Sequence, residues 1–209
     1  LVNEDGFLVD RYDKAHLVPF GEYIPFRKFL GKFVSASVAG VTAMDVTPGS
    51  GPRVLRVSDL GPRGLLVGTP ICYELLFPSL VRGFAKSGAS FLTALTNDAW
   101  YGMTGAPRQF LAITTLRAIE TGLWTVRAAN TGISAFIAPD GTIISEADLF
   151  SREVLVEDIY LPGASASPTF YVRHGDVFVL VCAGFLLIFL FFVFRQGLSP
   201  VSKITSCSS

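Results

Sequence analysis

Cys72 stands in PICYELLFP, residues 70–78, between a strand-forming run, GLLVGTPI, and a helix-forming run, ELLFPSLVRGFAKSG. A thiol at the carboxyl end of a strand has the setting of a nucleophile. A helix N-terminus lowers its pKa, and the same unpaired N–H groups can hold an oxyanion. Position alone suits an inert buried cysteine equally well. Two other stretches carry groups that such a thiol could use: Lys14 in YDKAHLVPFGEY, with Glu22 in the same stretch, and TNDAWYG at 96–102, with Asn97, Asp98, Trp100 and Tyr101. At neutral pH only a few per cent of an ordinary thiol is thiolate, so a base or a cation must raise that fraction. The plain structural alternatives are a solvated lysine at 14, a turn carboxylate at 22 and, for Glu74, an acid favoured by the dipole of a first helical turn.

The other cysteines, Cys182 and Cys207, do not combine with Cys72 into a CxxC or zinc-ligand spacing, and the chain has only two histidines. Neither a metal nor a cofactor is expected. Cys207 is third from the end, which misses the prenylation pattern. Seventeen basic residues balance seventeen acidic ones, which leaves no summed positive field for a phosphate backbone and argues against nucleic acid as a partner. With half of its 209 residues apolar the chain can build one cored domain. It begins LVNEDG, without a methionine or a signal-peptide core, so it is expected to be the later part of something longer.

The elements that must position these groups alternate. RVLRVSD, GLLVGTPI, ASFLTALTN, WTVRAAN, ISAFIAPDGTIIS and EVLVEDIYL read as strands, with Asp140-Gly141 marking a hairpin turn. Phe77, Leu80, Val81 and Phe84 form one helical stripe; Phe110, Ile113, Leu116 and Ile119 form a second, within APRQFLAITTLRAIETG. This is an α/β layered domain over residues 1–165. ASASP falls in a short linker, 166–176 in the main, and VFVLVCAGFLLIFLFFVF, 177–194, is apolar throughout and long enough for a transmembrane helix, followed by a tail at 195–209. Residues 24–40 set Phe26, Phe29, Leu30 and Phe33 against Arg27, Lys28 and Lys32, a basic amphipathic helix suited to a bilayer surface or to packing on the domain.

Lys14 in YDKAHLVPFGEY, then Cys72 in GTPICYE, then TNDAWYG give an order that resembles the nitrilase superfamily of Glu-Lys-Cys enzymes. KAHLVPFGEYIP, PICYE, TNDAWYG, LRAIETG and VRAANTGISAFIAPDG are similar, within it, to the apolipoprotein N-acyltransferases. The resemblance implies a four-layer αββα sandwich in the periplasm, carried on the bacterial inner membrane. It implies that Cys72 takes an acyl chain from a phospholipid as a thioester, which the α-amine of a diacylglyceryl-cysteine in an apolipoprotein then attacks. It matches Lys14, with the Tyr73 N–H, to the oxyanion support, Glu22 to a second glutamate near the thiol, and Tyr73 and Glu74 to the pair after the nucleophile. Trp100, with Tyr101 and Asn97, falls to substrate binding, on a glycine-rich loop that suits a mobile lid.

Two departures stand out. Nothing before Lys14 matches the general-base glutamate of the triad, Glu4 being too close, so that residue is expected upstream and this chain alone is expected to be inactive. Phe110 occupies a position where histidine is expected. A membrane-tethered amidase using water, and a catalytically inactive scaffold that binds lipoproteins, are the alternatives.

Overall fold

The computed structural model describes residues 1–27, 45–58, 64–161, 163 and 167–197. Most of the expected amphipathic helix at 24–40, most of ASASP, the tail beyond 197 and Cys207 lie outside the described residues. The described part divides into two units, one ending at Arg173 and the other beginning at His174.

In the first unit, six strands form one sheet in sequence order: β1 (Val54–Ser58), β2 (Leu65–Gly68), β3 (Phe91–Thr96), β4 (Thr125–Ala129), β5 (Ala135–Ile137) and β6 (Ile143–Glu146). The pairs β2–β3 and β3–β4 are parallel, and the rest are antiparallel. Each parallel pair needs a crossover; these are α1 (Pro78–Lys86) and α2 (Ala106–Thr121). Leu92 is in register with Thr125, and Thr125 with Ile137, so all three point to one face of the sheet. Leu92 packs with Val81 and Phe84 of α1, and Ile137 with Leu111 and Ala118 of α2, so both helices cover that face. The opposite face carries Phe91, Thr93, Leu95, Val126 and Phe136, and there the Thr69 and Thr93 hydroxyls are 3.0 Å apart. This is an α/β architecture, with one sheet and one helical layer of the expected sandwich; a second sheet is not among the described residues.

α1 buries the stripe its sequence indicates, with Val81 and Phe84 fully covered. α2 does not. Leu116 and Ile119 are about half exposed, and the inward face is instead Phe110, Leu111, Thr114, Arg117, Ala118 and Thr121. The two threonines among these are engaged inside: the Thr114 hydroxyl accepts from Arg127 of β4, and the Thr121 hydroxyl donates back to the Arg117 carbonyl. The strand expected at EVLVEDIYL does not form. Residues 151–161 pair with no strand among the described residues, and Val154 and Val156 are almost fully exposed. Alternation alone makes no strand without a neighbouring edge to accept its ladder.

Past β6, α3 (Phe170–His174) is tied to α1, because the Arg82 guanidinium donates to the carbonyls of Val172 and Arg173, and Val172 is buried. In the second unit, α4 (Val177–Gly197) contains the span Val177–Arg195, with mean hydropathy 3.2, long and apolar enough to cross a membrane. Cys182 lies on it, exposed.

Where β2 meets α1 the fit is tight: a Cβ on Gly68 would stand 2.7 Å from Leu92 and 2.8 Å from Phe84, both buried. Gly68→Ala should therefore cost about 1–3 kcal/mol through overpacking, read as a lowered melting temperature; an unchanged melt would show that α1 can shift off the sheet.

Candidate active site

Cys72 leaves the carboxyl end of β2 with φ +51°, a left-handed conformation that costs a residue bearing a Cβ on the order of 1–3 kcal/mol and survives only where its surroundings fix it. It opens a single tight turn, Cys72–Leu76, and α1 starts only at Pro78, a first-turn proline. The thiol thus sits on the turn ahead of the α-helix, not on the helix N-terminus that the sequence suggests. Ile71, just before it, bridges to Leu95 of β3.

What fixes this turn is Glu74. Its side chain is fully buried. Oε2 accepts from the Ile71 N–H at 2.8 Å, closing the turn on itself. Oε1 accepts from the Tyr12 hydroxyl at 2.8 Å, the Ala15 N–H at 2.7 Å and the His16 N–H at 3.0 Å. Four donors match the four lone-pair sites of a carboxylate. Burial, and next the bond to Glu74, hold the Tyr12 phenol well above its ordinary pKa, so it stays a donor. Tyr12 also meets Phe84 of α1 edge to face, with centroids 5.2 Å apart.

The donors Ala15 and His16 follow Lys14 directly, so the same carboxylate that shapes the cysteine turn anchors the lysine segment. Lys14 is largely buried, its side chain 12% exposed, and Nζ donates to both oxygens of Glu22, at 2.7 and 2.8 Å. Glu22 Oε2 also accepts from the Val18 N–H, and Phe20 between them has φ +61°, so the stretch is wound tightly around the pair. Of the three N–H bonds on Nζ, two engage Glu22 and one is left for a further acceptor. Beside them, His16 lies on Phe77, with centroids 3.6 Å apart, and Tyr73 meets Phe77 edge on.

The third stretch leaves the carboxyl end of β3, next to Cys72 in the sheet order. Asn97 accepts from the Ala99 N–H and from Asn130 Nδ2, and Asn130 in turn accepts from the Asp98 N–H. Tyr101 stacks on Phe110 with centroids 5.2 Å apart. Its phenol is pushed up by burial first and then by the negative forms of Cys72 and Asp98. Trp100 and Met103 stand out from this turn, 70% and 86% exposed. The loop expected as a mobile lid is braced at its base. Phe110, at the position expected for histidine, is the platform under Tyr101.

Sequence reading missed Tyr12, Asn130 and above all Arg127. The signal for Arg127 was available: an arginine at an inward position of an otherwise apolar strand, WTVRAAN. Among the described residues no group of three or more His, Cys, Asp or Glu side chains could hold a metal ion.

A family model described as carbon-nitrogen hydrolase matches residues 1–168. The chain is 37% identical over 196 residues to an apolipoprotein N-acyltransferase of Geobacter metallireducens, covering 94% of this chain and 36% of that protein. It is 36% identical over 199 residues to one of Rhodopseudomonas palustris, covering 90% and 34%. The chain therefore spans about a third of the length of these relatives. Among solved structures, Nit3 of Saccharomyces cerevisiae, a member of branch 10 of the nitrilase superfamily, matches with TM-score 0.48 and 21% identity, over 72% of this chain and 48% of that one. An amidase from Nesterenkonia sp. matches with TM-score 0.47 and 24% identity, over 71% and 49%.

Because Glu74 serves two segments at once, Glu74→Gln should leave donors on one side facing an NH2 group and cost about 1–3 kcal/mol in stability, measured by thermal melting. A melt equal to wild type would mean that the lysine segment is held otherwise. Tyr12 gives a pH signature. Its folded pKa is raised, so its contribution is whole below the unfolded value of about 10 and is lost as pH rises beyond it. Stability should fall more steeply above that pH in wild type than in Tyr12→Phe, and parallel curves would contradict this.

Proposed function

The chain belongs to the carbon-nitrogen hydrolase family, and from that membership we propose that Cys72 is the nucleophile of a membrane N-acyltransferase acting on lipoproteins. The observation that carries this reading is the shared anchor at Glu74, which ties the turn of a strained cysteine to the segment of a largely buried lysine. The relatives that carry the name apolipoprotein N-acyltransferase support the choice of reaction. The apolar helix Val177–Arg195 supports a membrane setting, and the exposed Trp100 and Met103 support contact with acyl chains.

In the first half-reaction the Cys72 thiolate attacks the ester carbonyl of a phospholipid. The tetrahedral oxyanion is held by the remaining N–H of Lys14 Nζ and the backbone N–H of Tyr73. Glu22 keeps the ammonium in place, and Tyr73 and Glu74 hold the turn. The C–O bond breaks, the lysophospholipid leaves as an alcohol with the proton taken from the thiol, and a thioester remains. That proton passes through a general-base carboxylate, which would complete a Glu-Lys-Cys triad with Lys14 and Cys72. In the second half-reaction the α-amine of a diacylglyceryl-cysteine attacks the thioester, an amide forms, and the proton lost by the amine restores the thiol. Trp100, Tyr101 and Asn97 form the wall against which the acyl chain lies. The domain faces the periplasm from the bacterial inner membrane, with the tail after Arg195 in the cytoplasm.

Incubated in phospholipid vesicles without acceptor, the native chain should gain the mass of one fatty acyl group, labile to hydroxylamine and absent in Cys72→Ser. Lys14→Met, which removes the oxyanion cation, should slow its formation by about a hundredfold or more. No adduct on a folded chain, with turnover of small amides instead, would replace the transferase by an amidase.

A further inference from the structure

Beneath the turn that carries Trp100 and Tyr101 lies an ion pair from which solvent is wholly excluded: Arg127 Nη2 donates to Asp98 Oδ2 at 2.7 Å, and both side chains are 0% exposed. Each nitrogen of the fork is directed. Nε binds the Ile133 carbonyl at 3.0 Å, and Nη1 binds the Thr114 hydroxyl of α2 at 3.2 Å. The other carboxylate oxygen, Asp98 Oδ1, accepts from Thr96 at 2.7 Å. The Asp98 carbonyl accepts from the Tyr101 N–H at 3.0 Å, which closes the turn. The space is fitted to the pair: a Cβ on Gly132 would fall 1.9 Å from Asp98 Oδ2.

We propose that Asp98 and Arg127 are positioning residues of the thiol site: the pair fixes the 98–101 turn at the strand end that adjoins the Cys72 turn, and it keeps the buried charge there balanced. The reasoning is geometric. Three elements, β3, β4 and α2, converge on the fork, and the turn it holds begins three residues after Leu95, which bridges Ile71 next to Cys72. Burial lowers the guanidinium pKa and Asp98 opposes that, with Cys72 and Tyr101 adding in the same sense as Asp98. The remaining charged groups on the elements around the thiol are engaged elsewhere. Lys14 pairs with Glu22, Glu74 with its four donors, Arg108 with Glu146 and Arg117 with Glu120, and Arg82 is bound to the carbonyls of α3.

The inference concerns the site whether its acceptor is an amine or water, but it rests on Cys72 being the nucleophile. The test separates the two. In the native chain, Asp98→Asn keeps the shape and both hydrogen bonds, since the amide can donate to Thr96 and accept from Arg127, while leaving the cation uncompensated. The pH dependence of Cys72 alkylation by iodoacetamide, followed by mass spectrometry, should move to lower pH, with the rate at pH 7 up roughly three- to tenfold. The melt should fall, because the stranded cation is buried, and the shifted alkylation profile is the readout that a purely structural role would not produce. In Asp98→Asn with Arg127→Met the alkylation profile should return toward wild type, while thioester formation falls tenfold or more because the turn is no longer tied. An Asp98→Asn profile superimposable on wild type overturns the proposal, as does wild-type thioester formation in the double variant. Should wild type itself form no thioester, the nucleophile assignment fails, and the alkylation profile still decides whether the pair acts on the thiol.

Discussion

One buried carboxylate organises this site. Glu74 collects donors from the cysteine turn and from a segment about sixty residues earlier in the chain, and no solvent reaches it. Taking such a group out of water is costly unless every lone pair is used. The four donors therefore have to arrive together, and their arrival sets the geometry of both partners. The segment at 10–24 has only bends, turns and an isolated bridge of its own, Pro19 to Tyr23. Its path is set from outside by Glu74 and from within by the Lys14–Glu22 clasp. The same anchoring sustains the left-handed backbone at Cys72, a conformation that a free loop would abandon.

The two ion pairs near the carboxyl ends of β2 and β3 show how burial divides labour. Lys14–Glu22 retains partial exposure, 12% and 30%, and Lys14 keeps one donor direction unspent by its partner. Asp98–Arg127 retains none, and each nitrogen of the guanidinium donates to a fixed protein acceptor. A buried pair of that kind offsets its own desolvation at best, while losing one member strands a charge. Such a pair contributes little net stability and a great deal of definition, which is what a turn presenting an aromatic side chain to a reacting centre requires.

The parts of the fold readable in the sequence were those governed by period and punctuation. The apolar runs of β2 and β3, the 3–4 spacing along α1, the Asp140-Gly141 hairpin and the chain-end apolar helix each carry a local signal. So did Cys72 at a strand end, with Lys14 and TNDAWYG as companions. The inward face of α2 escaped because Thr114, Arg117 and Thr121 point to the core, and polar residues there make sense only once Arg127 is known to arrive from β4. Glu74 could be read as a helix-dipole acid because its true partners, Ala15 and His16, are distant in sequence and donate through backbone. EVLVEDIYL has the alternation of a strand, but alternation specifies a face and not a partner edge.

These observations change what the AWYG loop can be. Its glycines, among them Gly102 with φ +52°, suggest looseness. Yet the turn is fastened at its root by Asp98 and Asn130, internally by the Tyr101 N–H, and after it by the Thr104 hydroxyl on the Tyr101 carbonyl. Tyr101 is further backed by Phe110. Only Trp100 and Met103 extend freely from this frame. A rigid base with exposed apolar tips presents a surface to a flexible chain without spending its own conformational entropy on the encounter. An opening and closing lid would have to order itself each time. The same site thus combines a fixed wall of aromatic and ion-pair contacts with a partly exposed cation on the lysine segment. The strained cysteine turn adjoins both, bridged to β3 through Ile71 and Leu95 and tied to the lysine segment through Glu74, so the scaffold around the thiol is fixed by contacts already made.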